Sequence, residues 1–136
     1  MMRRLIPLVA LAVAVACGSD STTQPTMASV AGTWALQSVN GAPLPFTVTQ
    51  SGSDKVELLS DVVTANINGT YTEVAQFRTT LNGQSTTNTE TDAGTFVLNG
   101  TAVSLSSTQT GNINGELSGN RLTLVETGYA WVFVKQ

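Results

Sequence analysis

The chain has 136 residues, nine acidic and six basic side chains, a formal net charge of −3, no histidine and a single cysteine. A disulfide within the chain is therefore impossible, and the usual zinc and copper sites, which need histidine and cysteine ligands, are excluded. Nucleic-acid binding needs clustered Lys and Arg to neutralise phosphates, and the sequence has no such cluster, so we expect no nucleic acid, metal or cofactor.

The N-terminal segment is typical of an export signal. Arg3 and Arg4 precede an apolar run at 5–16, which is shorter than the roughly 20 residues that a membrane-spanning helix needs. The run ends in Ala-Val-Ala-Cys at 14–17, which resembles the lipobox of bacterial lipoprotein precursors, although Ala replaces the commonest Leu three residues before Cys17. The resemblance implies cleavage after a signal peptide at 1–16 and a lipid on Cys17. The alternative is a plain signal peptide followed by a stray cysteine.

Residues 17–28 comprise Cys17, on which the lipobox resemblance implies a lipid, and a stretch that is rich in Ser and Thr and offers little to bury. This composition predicts a flexible tether. The remaining residues, 29–136, suit one domain with one core. The lipobox resemblance implies a bacterial envelope protein that is anchored in the membrane by its lipid and faces outside the cytoplasm. Gly18 rather than Asp after the cysteine implies the outer membrane if the host has one.

The domain is punctuated by turn dipeptides between runs of β-forming residues. Asn-Gly occurs at 40–41, 68–69, 82–83, 99–100 and 114–115, and Gly-Asn occurs at 119–120. Asn-Gly between such runs is the strongest short-range hairpin signal, and no helical periodicity of useful length interrupts it. The pattern predicts an all-β fold, a single antiparallel up-and-down β-barrel of about eight or nine strands, because a meander of that size usually closes on itself.

Three of the turns predict specific strand registers. Turns at 99–100, 119–120 and 127–128 set Phe96 opposite Val103, Leu117 opposite Leu122 and Leu124 opposite Trp131. Large side chains then fall on one face of each hairpin, as a one-sided core requires.

Other strands are less regular. Alternation along 70–81 places Glu73 on the face of Tyr71, Ala75 and Phe77, and the favoured interpretation is a bulge that turns Glu73 outward. The run at 55–67 changes phase at 58–59, which predicts a bulge or strong bend there. The polar stretch at 82–94 is either an exposed strand or a loop.

The first strand carries a family resemblance. Residues 31–45 read AGTWALQSVNGAPLP, and Gly32-Thr33-Trp34 resembles the Gly-x-Trp signature of lipocalins and related calycin barrels. The fuller string is similar to the lipocalin-like domains of small bacterial lipoproteins. The resemblance implies that Trp34 closes one end of the barrel under a basic side chain, for which Arg121 is the candidate. The alternative family is the META domain of heat-shock-related bacterial lipoproteins, whose mid-domain Gly-Cys-Asn segment is missing here.

The sequence predicts no enzyme, because Ser-His and Cys-His nucleophiles are unavailable to it. The acidic clusters at 54–61 and 90–92 are interpreted as solvated surface, although a carboxylate hydrolase stays open as a minor alternative. We expect an envelope lipoprotein whose non-catalytic barrel binds a small apolar or amphipathic ligand. The alternative is a structural or protein-interaction lipoprotein, inhibitor-like, with a filled barrel. The candidate ligand-binding residues, which could equally be core, are Trp34, Phe77, Phe96 and Trp131.

Overall fold

The computed structural model describes residues 24–136, which form one helical turn and ten β-strands. The predicted signal peptide and Cys17 lie outside the described residues. In chain order the elements are α1 (Met27–Val30), β1 (Gly32–Val39), β2 (Ala42–Pro43), β3 (Phe46–Ser51), β4 (Asp54–Ala65), β5 (Thr70–Leu81), β6 (Gln84–Asn99), β7 (Ala102–Ser107), β8 (Asn112–Ser118), β9 (Arg121–Glu126) and β10 (Tyr129–Lys135).

Eight of the strands close into an antiparallel barrel. Its order is β1, β10, β9, β8, β7, β6, β5 and β4, and β4 pairs with β1 to complete the circle. Strands β2 and β3 are additional, and they extend β1 and β4 outside the ring. The prediction of an all-β, up-and-down barrel is confirmed. Closure gives each of the eight strands a partner on both sides over at least part of its length, which limits pairing of the sheet with another chain.

Three of the tight turns have the predicted geometry. Asn40-Gly41 and Asn82-Gly83 both have φ near +50° and +79°, and Thr127-Gly128 has +48° and +83°. Positive φ at both central residues is the geometry of a type I′ turn, whose twist matches that of the flanking strands.

Two of the three predicted registers are confirmed. Leu117 pairs with Leu122, and Leu124 pairs with Trp131. The third is wrong by two residues, because Phe96 pairs with Leu105. The turn is formed by residues 100–101, with the glycine first at φ +62°, rather than by the Asn-Gly dipeptide. A slip of two preserves the face on which each side chain lies, so Phe96 and Leu105 are still buried in the barrel.

The structure also shows the conformation of the two irregular stretches, 55–67 and 82–94. The register of β4 against β5 shifts between Leu58 and Ser60, which confirms the predicted bulge. The polar stretch at 82–94 forms most of β6, paired with β5 and exposed along residues 84–91. The hairpin of β5 and β6 therefore extends beyond the part of β6 that β7 covers.

One end of the barrel is closed around Trp34. This side chain is 0% exposed, and its indole Nε1 donates a 2.7 Å hydrogen bond to the Val30 carbonyl oxygen. The Lys135 ammonium lies 5.6 Å from the centre of the indole ring and donates to the Ser29 carbonyl oxygen. The prediction that Arg121 covers this tryptophan is therefore wrong. The end of the barrel that contains Trp34 is called the closed end below.

The helical turn α1 belongs to the closed end. Val30 is buried and Met27 packs against the core, so residues 27–28, which the sequence placed in the tether, are part of the folded domain. Its short backbone is held by hydrogen bonds from Ser29 and Ala31 to the carbonyls of Thr26 and Met27.

Candidate functional site: an acidic cavity in the barrel

The half of the barrel away from the closed end contains a cavity of about 170 Å³. On β4, β5 and β10, the residues that line it come from the part of the strand remote from Trp34. Its apolar wall is formed by residues of six strands: Leu58, Ala75, Phe77, Leu105, Ile113, Leu124, Trp131 and Phe133. The rim includes Thr91, Gln109 and Thr110, which are exposed, so the cavity opens to solvent beside β6 and the loop between β7 and β8.

Carboxylates dominate the polar lining. Five of the nine acidic residues of the chain line this one cavity: Asp61, Glu73, Glu90, Asp92 and Glu126. They come from four different strands, so the concentration of charge arises only when the barrel closes. The interpretation of the acidic clusters as solvated surface is therefore wrong for Asp61, which is only 5% exposed.

The basic residues in the described part of the chain lie elsewhere. Lys55 and Arg78 each approach Glu57 to 2.9 Å, and Lys135 lies over Trp34. The hydrogen bond from Lys55, together with that from Arg78, holds the pKa of Glu57 below its usual range. Within residues 24–136, no lysine or arginine lines the cavity, so its negative charge has no neutralising partner from the protein.

Asp61 and Glu73 form a carboxyl pair at the inner wall. They project inward from adjacent strands, and both line the cavity. Burial, followed by the charge of Glu73, raises the pKa of Asp61 to about 8. Burial also raises the pKa of Glu73, although its interaction with Asp61 opposes this. At neutral pH Asp61 therefore holds a proton.

The inward direction of Glu73 corrects an expectation. The sequence analysis favoured a bulge that turns it outward, but the bulge lies on β4, and β5 is regular opposite β6 from Thr70 to Leu81. Glu73 stays on the face of Ala75 and Phe77, where alternation places it.

Asp92 is held as an anion at the rim. Burial would raise its pKa, but hydrogen bonds from Ser107, the Ala93 N–H and Thr108 outweigh this and lower it. The Thr108 hydroxyl donates at 3.0 Å and the Ala93 N–H at 2.7 Å. Asp92 and Tyr71 also interact, and burial followed by the Asp92 charge raises the pKa of the Tyr71 hydroxyl to about 12. Asp92 is therefore a fixed negative charge beside the cavity.

Two buried polar atoms in the cavity wall have no hydrogen-bond partner among the described residues. They are Asp61 Oδ1, an acceptor, and Trp131 Nε1, a donor. A buried polar group without a partner costs about 1–3 kcal/mol, and native proteins leave few of them. Both atoms belong to residues that line the same cavity.

The predicted ligand-binding residues divide between two places. Phe77 and Trp131 line the cavity. Trp34 and Phe96 lie at the closed end, around a gap of about 10 Å³ that holds no ligand-sized space. Sequence reasoning missed Asp61, although the signal exists: once the bulge is placed at residue 59, alternation back from Ala65 and Val63 turns Asp61 inward.

The other chemistry considered from the sequence finds no support in the geometry. In residues 24–136 there is no group of three or more His, Cys, Asp or Glu side chains arranged to hold a metal ion. Over the same residues, no helix has the length and apolar character needed to cross a membrane.

No protein-family model matches the chain, and no curated protein matches it either. The cavity and its lining are therefore the basis for assigning a function.

Proposed function

We propose that the protein is a lipid-anchored, lipocalin-like envelope protein that binds a small organic molecule in the acidic cavity of its barrel and catalyses no reaction. The observation that carries the proposal is the cavity itself. An interior formed by eight strands is just wide enough to be filled by side chains or to hold one small ligand. Here about 170 Å³ is left open.

The size of the cavity suits a molecule with one ring. An engineered apolar cavity of about 150 Å³ binds benzene, so the space available here accepts a ligand of similar bulk. The wall supports such a ligand on both sides, since Phe77, Trp131 and Phe133 present aromatic surface. The unpartnered Asp61 Oδ1 and Trp131 Nε1 supply an acceptor and a donor that would fix its orientation.

The filled, protein-interaction barrel is the second candidate, and the surface offers it less support. The large exposed apolar side chains are Val48, Ile67, Val74, Leu81, Val97 and Val125. They are distributed over β3, β5, β6, β9 and one loop rather than gathered on one hairpin. Single apolar residues on a surface are normal and do not mark an interface.

A carboxylate hydrolase is also less well supported. A hydrogen-bonded acid dyad of the aspartic-protease type needs a cleft that accepts an extended peptide, and the cavity has room for a far smaller molecule.

The two tryptophans make the proposal directly testable. In ¹H–¹⁵N spectra each gives one indole resonance, and only Trp131 lines the cavity, while Trp34 lies at the closed end as an internal reference. We would titrate residues 24–136 with benzyl alcohol and with benzylammonium chloride. We expect at least one probe to move the Trp131 resonance in a saturable way and to leave that of Trp34 in place.

A matched pair of variants locates the binding. Ala75→Leu places three more carbons in the cavity and should abolish the shift, whereas Val74→Leu, on the exposed side of the same strand, should retain it. If neither probe moves the Trp131 resonance of the unaltered protein, the barrel is a filled one and the ligand-binding proposal is wrong.

A further inference from the structure

The cavity has an asymmetry that indicates which molecules it accepts. Its deep wall is apolar, but most of its polar lining residues carry carboxylates, and within the described residues no basic side chain lines it. A cavity for a neutral apolar molecule would gain nothing from this charge. Burying uncompensated carboxylates is costly, so proteins normally pair them or place a cation beside them.

The second observation is independent of the number of acids. Asp61 is 5% exposed, lines the cavity and leaves Oδ1 without a hydrogen-bond partner among the described residues. The buried atom is thus an unused acceptor at the inner end of the cavity, beside a second carboxyl group.

We infer that the ligand is a small organic ammonium ion, whose charged nitrogen donates to Asp61 and Glu73 while its apolar body, about the size of one benzene ring, packs against Phe77, Trp131 and Phe133. This inference rests on the proposed ligand-binding function and specifies the chemical class of the ligand. An ammonium group supplies up to three N–H donors, which matches the free acceptor of Asp61 and the adjacent oxygens of Glu73.

The other titratable groups near Asp61 and Glu73 also favour a cation. Glu73 faces the negative charges of Asp92 on β6 and Glu126 on β9, and Glu90 on β6 stands at the rim. The Tyr71 hydroxyl near Asp92 stays neutral. β10 and the loop between β7 and β8 line the cavity with uncharged residues. In the described part of the chain, every ionisable side chain that lines the cavity is therefore acidic, and the field attracts a cation.

Binding is expected to release a proton. In the empty site at neutral pH Asp61 holds a proton, because burial raises its pKa, and the incoming ammonium takes the place of that proton, which passes to solvent. The affinity for the cation should therefore rise with pH, by up to about tenfold per pH unit between pH 6 and 8, and then level off once the pair has ionised. A neutral ligand displaces no proton and should show no such dependence.

The experiment compares benzylammonium with benzyl alcohol, which has a similar shape and no charge. Both are titrated at pH 6, 7 and 8 while the Trp131 indole resonance is followed. We expect benzylammonium to bind at least tenfold more tightly than the alcohol at pH 7. Methylammonium and propylammonium are titrated in the same way. Their affinities show how much the apolar body of the ligand contributes to binding.

Variants that remove a carboxylate test whether the preference for benzylammonium depends on Asp61 and Glu73. Asp61→Asn and, separately, Glu73→Gln should each weaken benzylammonium binding at least tenfold and change the affinity for the alcohol far less. Glu116→Gln, which removes a carboxylate from the exposed face of β8, should change neither. Two variants are used so that the result stands if one of them fails to fold.

The outcomes separate this inference from the proposed function. If both probes bind equally, and neither pair variant alters the difference between them, the cavity is a ligand site and the preference for a cation is wrong. If no ammonium ion and no alcohol moves the Trp131 resonance, the inference and the proposed function both fail. A benzylammonium affinity that falls as pH rises from 6 to 8 would also overturn the inference.

Discussion

The carboxyl groups of Asp61 and Glu73 line the same cavity inside the barrel, from the adjacent strands β4 and β5. Among residues 24–136 neither has a basic partner, in contrast to Glu57, which Lys55 and Arg78 hold on the other side of the sheet. The barrel therefore uses its few basic side chains outside the cavity and leaves an acid pair within it. The consequence for stability can be measured without knowing any ligand.

We predict that the protein becomes less stable as pH rises from 5 to 8. The folded state raises the pKa of Asp61 to about 8, whereas an unfolded Asp has a pKa of about 3.9. Between these values the folded protein holds a proton that the unfolded chain has released, so raising the pH favours unfolding. The free energy of unfolding should fall by at most about 1.4 kcal/mol per pH unit for one proton, and level off above pH 8.

Urea denaturation at intervals from pH 5 to 9 measures this slope. In Asp61→Asn the slope should flatten, because the variant cannot release that proton, while Glu116→Gln should keep the slope of the unaltered protein. A free energy of unfolding that rises steadily across this range would contradict the acid pair.

The two tryptophans should respond differently to the same substitution. Trp34→Phe removes a buried donor and leaves the Val30 carbonyl without it, so we expect a loss of about 1–3 kcal/mol of stability. Trp131→Phe removes an indole N–H that has no partner among residues 24–136, so its hydrogen-bonding cost should be near zero or favourable. The urea midpoints of both variants test this prediction. Equal losses of stability in the two variants would show that the hydrogen bond from Trp34 to the Val30 carbonyl contributes little.

Gly94 should be intolerant of a side chain. It pairs with Tyr71, and a Cβ there would lie 2.0 Å from the Ser106 carbonyl oxygen and 2.9 Å from Tyr71 Cε1. Gly94→Ala therefore forces the backbone of β7 or the Tyr71 ring to move, and we expect a loss of about 1–3 kcal/mol or more. Ala93→Ser adds one atom at the exposed neighbouring position and should cost far less. Thermal unfolding of the two variants side by side tests this, and similar melting temperatures would contradict the close approach.

The lipid anchor is a prediction about Cys17 that stands on sequence alone. In a bacterial host, the mass of the membrane-extracted protein should equal residues 17–136 plus a diacylglyceryl group, usually with a third acyl chain. Cys17→Ser should lose the lipid and no longer be recovered in membranes, whereas Ser19→Ala should behave like the unaltered protein. Recovery of a lipid-bearing Cys17→Ser protein from membranes would show that the anchor lies elsewhere.

Much of the fold could be predicted because its information is local. An Asn-Gly turn needs positive φ at two adjacent residues, and alternation of apolar side chains needs only the period of a strand. These signals predicted an antiparallel up-and-down barrel, two hairpin registers, the bulge near Leu58 and the inward face of Phe77 and Trp131.

Some local sequence patterns are compatible with two structures, and tertiary contacts determine which of the two forms. Asn114-Gly115 carries the same dipeptide as the turns, yet it lies within β8, because the Thr123 carbonyl approaches Gly115 too closely for any Cβ. Lys135 rather than Arg121 covers Trp34, because the closing strand delivers its last residues to the end where β1 begins.

The candidate site depends most on the tertiary structure. By itself the sequence determined that the chain has turn-rich β-strands and few basic residues, and it predicted an export signal. It also showed that Glu73 alternates with apolar neighbours. That Asp61, Glu73, Asp92 and Glu126 face one cavity is a property of the closed barrel, since they come from four strands separated by up to 65 positions in the chain. Charge and burial act through space, and only closure of β1 against β4 sets the distances over which these carboxylates act on one another.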